Sequence, residues 1–101
     1  MQQEQRIKTM ERHLDRASQA VMRLSAALDE YTEATASLRE LEAYYTSDEW
    51  KHDFNDDTAG RLPAQLKRGV LTEDAIWNVL EDNRELRERM KTIVTTAHEA
   101  Q

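Results

Sequence analysis

Everything that instructs this backbone to turn sits in one window. Gly60, Pro63 and Gly69 are the only two glycines and the only proline in 101 residues, and all three lie between Tyr44 and Leu71. Glycine and proline are the strongest local punctuation a chain carries. The segments on either side contain neither, so nothing there interrupts a long helix. Four of the six aromatic residues, Tyr44, Tyr45, Trp50 and Phe54, share the same window. The turn region is therefore expected to carry its own small cluster.

The spacing before the window predicts one helix over 3–45. Ile7, Met10, Leu14, Ala17, Val21, Leu24, Leu28 and Tyr31 recur at alternating steps of three and four, which is a heptad stripe. Charged residues such as Arg6, Lys8, Glu11, Arg12, Asp15, Arg16 and Arg23 fill the remaining faces. Glu4 and Lys8 add a pair in the favourable order. At a rise of 1.5 Å per residue the helix is roughly 60 Å long. After Tyr31 the stripe changes phase and continues at Ala34, Leu38, Leu41 and Tyr45. Two successive steps of three form a local stammer, which we read as a change of packing partner.

The window, 46–71, then reads as a short helix and an ordered loop. Thr46 and Ser47 open the helix. Thr46 and Glu49 have capping-box spacing, and Asp48 and Glu49 suit the positive helix end. Trp50 and Phe54 would share a face. Gly60 is the natural stop. Pro63 starts a turn with Leu66 pointing inward, and Gly69 ends it. The last helix is expected over 72–98, with Thr72 as N-cap. Leu71 and Ile76 have the spacing of a hydrophobic staple across that cap. The stripe runs on through Val79, Leu80, Leu86, Met90, Ile93, Val94 and Ala97. Asn83 falls on the seam, where an amide can fix register.

These lengths predict an all-α fold: a single domain, 1–101, built as a long antiparallel helical hairpin, coiled-coil-like, with a short helix and ordered loop at the turn. The short helix would fold back over 34–45, and the last helix would cover the stripe from Ile7 to Tyr31. Tyr44, Trp77, Met22 and the alanines at 26, 27, 34 and 36 remain as a second contact face, so a homodimer is expected.

Composition narrows the function classes. Hydrophobic residues make up 39% and charged residues 34%, which suits a narrow apolar stripe better than a thick core. The net charge of −6 repels phosphates and anionic surfaces, so direct nucleic-acid binding is not expected. No cysteine is present, which removes disulfides, thiolate metal sites and cysteine nucleophiles. No signal peptide is readable and no run approaches the ~20 apolar residues of a membrane span, so a cytoplasmic protein is expected.

The window also carries a resemblance. Tyr44-Tyr45-x-Ser47-x-Glu49-Trp50-x-x-Asp53-Phe54, followed by Asp57-x-x-Gly60-x-Leu62-Pro63-x-x-Leu66-Lys67-Arg68-Gly69-Val70-Leu71-x-Glu73-Asp74, resembles a bacterial family known only as domain of unknown function 4298. That family also looks like two charged helices flanking such a segment, so the likeness covers nearly the whole chain. Thr58 stands where the family pattern has an acid, and Thr72 where it has serine. The resemblance implies a small bacterial helical protein. It implies no reaction, because none is assigned to the family.

Candidate functional residues cluster in the same window. Asp48, His52 and Asp56 would line one helical face, and Glu49, Asp53 and Asp57 the next. Such a set can hold a divalent cation, but a solvated face with N-terminal acids is the preferred reading, and no metal or other cofactor is assigned. Asp53 and Asp57 against Lys67 and Arg68 would pair across the turn or form a polar patch beside Trp50. Tyr44, Tyr45, Trp50 and Trp77 complete the candidate interaction set, with Trp50 and Phe54 favoured as core. No nucleophile elbow, phosphate loop or zinc motif is readable. The expected function is a non-enzymatic protein-protein interaction module. The alternatives are an acidic inhibitor or nucleic-acid mimic that binds a basic groove and, last, a metal-dependent enzyme.

Overall fold

A computed structural model describes residues 2–99, with side chains described through Ala97. Among the described residues the chain is all-α, with a short helix and an ordered loop between two longer helices. Helix α1 spans Gln2–Tyr45, α2 spans Asp48–Thr58 and α3 spans Ala75–Glu99. A single 3-10 turn, Gly69–Leu71, stands between α2 and α3.

The chain divides into two compact units, Met1–Ser37 and Leu38–Gln101. The boundary falls just after the phase change in the heptad stripe. The described residues of the first unit are helix alone. Its pair Lys8–Glu4 forms at 3.6 Å, as the spacing predicts. Its stripe is open: Ile7, Met10, Leu14, Val21, Leu24 and Leu28 are 43–67% exposed.

The second unit is organised by the 69–71 turn, which touches both α2 and α3. The two buried hydrophobic residues among those described are Leu71 and Ile76, at 5% and 2% exposure. They are the pair marked by staple spacing, but the cap between them is different. Thr72 closes the 3-10 turn instead, donating its hydroxyl to the Gly69 carbonyl at 2.8 Å. Helix α3 begins three residues later, and the Asp74 carbonyl accepts the Asn78 N–H at 2.7 Å. Thr72 cannot serve both ends at once, and the turn takes it.

Similar local competition corrects the start of α2. Thr46 turns its hydroxyl back to the Glu42 carbonyl at 3.0 Å and finishes α1. Ser47 is the N-cap, accepting the Trp50 N–H on its hydroxyl at 3.2 Å. The capping role lies one residue later than the Thr46–Glu49 spacing predicts. At the other end Gly60 stops α2 at φ +73°. Its N–H reaches the Asp57 carbonyl at 3.0 Å and the Arg61 N–H reaches the Asp56 carbonyl at 2.9 Å. These two bonds are the Schellman pattern, which requires a left-handed residue that glycine adopts at least cost. Pro63 does open a turn, with Leu66 N–H on its carbonyl at 3.2 Å. Leu66 points out, however, being half exposed, and Gly69 begins the next turn rather than ending this one.

Candidate functional site

The window assembles into a clamp with three fastenings, all within the second unit. The first is aromatic. Tyr45 at the end of α1 meets Trp50 edge-on, with ring centroids 5.1 Å apart and planes at 70°. Trp50 stacks on Phe54 at 5.1 Å and 22°, as the i,i+4 spacing on α2 dictates. The indole N–H of Trp50 donates to the Val70 carbonyl at 2.9 Å. One side chain thus ties α1, α2 and the 69–71 turn together. All three rings are half-buried rather than core.

The second fastening joins α1 to α2 through polar atoms. The Tyr44 hydroxyl donates to Asp53 Oδ2 at 2.6 Å. Partial burial, this hydrogen bond, and the charges of Asp53 and Glu49 push the Tyr44 phenol up to about 12. Each of these favours the neutral phenol. The third joins α2 to the loop. Arg68 Nη1 lies 2.9 Å from Asp57 Oδ1, with both groups about a third exposed or less. Arg61 Nη1 meets Asp56 Oδ1 at 3.1 Å, and His52 Nε2 lies 3.3 Å from Asp56 Oδ2.

Three of the acidic residues of α2 are thereby distributed among separate partners. Asp53 serves Tyr44, Asp57 serves Arg68, and Asp56 lies between His52 and Arg61. Among the described residues, no group of three or more histidines and carboxylates has the geometry to hold a metal ion.

Of the sequence candidates, Tyr44, Tyr45, Trp50, Asp53, Asp57 and Arg68 come together in this clamp. Lys67 does not join it. It lies on the lip of an apolar groove with Leu41, Val70, Ile76 and Val79. Trp77 stands apart on α3, 52% exposed. The residue that sequence reasoning missed is Val70, whose part is played by its carbonyl. No side-chain pattern marks a backbone acceptor, and the only available signal was the placement of Trp50 upstream of a glycine-started turn.

Among the described residues, no helix is long and apolar enough to cross a membrane. Comparison with known proteins places the chain in a family. The model of that family, a domain of unknown function (DUF4298), matches residues 7–93. The chain belongs to it. The match begins at Ile7, the first residue of the exposed stripe, and runs through the clamp to Ile93 of α3. No curated protein and no solved structure matches the chain.

Proposed function

We propose that this member of the DUF4298 family is a non-enzymatic protein-protein interaction module whose working surface is the apolar stripe of α1 between Ile7 and Leu28. The observation that carries the reading is the exposure of that stripe. Six large side chains at heptad spacing are open along one helix. A contiguous exposed apolar face of this kind marks an interaction surface more often than a solvated one. A helix that presents anchors at i, i+3, i+4 and i+7 is the standard donor in helix-to-helix recognition.

The clamp residues support this reading from the other direction. Tyr44, Tyr45, Trp50, Asp53, Asp57 and Arg68 bond within the second unit and hold it in shape. An acidic mimic would need its carboxylates free along one face. Asp53, Asp56 and Asp57 are instead engaged by Tyr44, Arg61, His52 and Arg68, so that alternative draws little support.

The test is affinity capture with wild-type protein and with a Leu14→Glu/Leu24→Glu variant. Both positions are exposed, so the variant should keep its helical circular dichroism and its Trp50 fluorescence. Proteins retained by the wild type and lost by the variant are the expected result. An identical captured set from both would remove the stripe as the working surface.

A further inference from the structure

Resting on the reading of the α1 stripe as an interaction surface, we infer that its occupant is a second copy of this chain, laid antiparallel against it with the two copies registered on Gln19.

The side-chain layers fit this pairing. With Gln19 at the centre, Ala17 lies opposite Val21 of the second copy, and Leu14 opposite Leu24. Met10 lies opposite Leu28, and Ile7 opposite Tyr31. Two-fold symmetry repeats each pairing, so every layer is filled and small meets medium at the centre. The parallel alternative sets Ala17 against Ala17 and Tyr31 against Tyr31. It leaves a thin layer mid-seam and an overfull one at the end, and packed interfaces tolerate neither well.

The extent of the pairing fits as well. Antiparallel pairing about Gln19 sets residue 1 level with residue 37. That is the whole of the first compact unit, Met1–Ser37, and nothing of the second. The exposed side chains from Ile7 to Leu28 all fall inside the span that the symmetry pairs.

Charge at the seam edges is compatible with it too. In this register Glu11 flanks Ser25 of the second copy, and Ser18 flanks its own counterpart. Ala20 also meets its counterpart, and Arg6 and His13 flank Ala34 and Ala27. No like charges are opposed along either edge, and the small residues permit close approach. Edge charges set partner and orientation in paired helices, and this edge contains nothing that rejects its own copy.

The chain has no cysteine, which allows a direct test on the intact 101-residue chain. Sedimentation equilibrium over a wide concentration range should show a monomer–dimer equilibrium. A mixture of Met10→Cys and Leu28→Cys copies should cross-link into a mixed dimer under mild oxidation. Neither variant alone should do so, because in this register the like cysteines stand about 27 Å apart along the axis. Leu14→Glu should shift the protein to monomer with helical content retained. Cross-linking of Met10→Cys with itself, a monomer at every concentration, or a Leu14→Glu protein that remains dimeric would each overturn the inference. A monomeric result leaves the capture experiment to decide the broader reading, so the two failures are distinguishable.

Discussion

Trp50 donates its indole N–H to the backbone carbonyl of Val70 across twenty residues of sequence, at 2.9 Å. This bond fastens α2 to the turn that leads into α3. Its donor is also the central ring of the Tyr45–Trp50–Phe54 cluster. The position therefore has a polar and an apolar contribution that substitution can separate.

Trp50→Phe keeps an aromatic ring against Tyr45 and Phe54 but removes the donor. The expected loss is about 1 kcal/mol, the usual worth of one such hydrogen bond. Trp77→Phe, at an exposed position on α3, should change stability by less than about 0.5 kcal/mol. Urea unfolding followed by circular dichroism measures both. Equal losses would remove the special role of the Val70 bond.

Tyr44 supplies a pH prediction. Its phenol is raised from 10.0 to about 12 in the folded chain, so folding favours the protonated form. The stabilisation is therefore complete below pH 10 and is lost as pH rises through about 12. A tyrosinate absorbance titration should show a step near 12 that Tyr44→Phe abolishes and that moves to about 10 in denaturant. A wild-type step already at the denatured position would contradict the Tyr44–Asp53 bond.

Gly60 and Gly69 should respond differently to alanine. A Cβ at either position meets nothing within 4 Å, so sterics are equal and the backbone decides. Gly60 lies at φ +73°, where an L-residue costs roughly 1–2 kcal/mol. Gly60→Ala is expected to destabilise by about 1 kcal/mol. Gly69→Ala should be neutral, or slightly stabilising through the unfolded chain, within about 1 kcal/mol. Thermal melts of the two variants check the ordering, and a harmless Gly60→Ala would discredit the helix stop.

Leu71 and Ile76 are the buried pair, so truncating either is the most damaging single apolar change in the second unit. Leu71→Ala is expected to cost about 2–3 kcal/mol, at the low end for buried leucine because little surrounds it. Leu66→Ala, at an exposed site, should fall within about 0.5 kcal/mol. Native-state hydrogen exchange should show the Leu71 variant losing protection in α2 and in the first turns of α3 together, since both lean on the 69–71 turn. Protection lost in one helix alone would separate them.

Much of this was legible in the chain. The uninterrupted stripe yields a helix expected over 3–45 and found at Gln2–Tyr45, because a heptad pattern without glycine or proline has few other outcomes. Gly60 was legible because a left-handed stop has few alternatives. The pairing of the acidic and basic halves of the window was legible as Asp57 with Arg68. The caps were not. Thr46 and Ser47 are adjacent hydroxyls, and their division between ending one helix and starting the next depends on the path of the chain between the helices. Thr72 faced the same choice, and spacing alone favoured the helix over the turn. Leu66 was read inward from its apolar character, but the loop has too little depth to enclose it.

With Leu71 and Ile76 as the buried hydrophobic residues among those described, an isolated copy withdraws little apolar surface from water. The heat-capacity increment on unfolding scales with that surface. A lone chain should therefore melt gradually, with a shallow enthalpy and no sharp calorimetric peak. A steep peak whose midpoint climbs with protein concentration would be the signature of apolar surface sequestered between molecules.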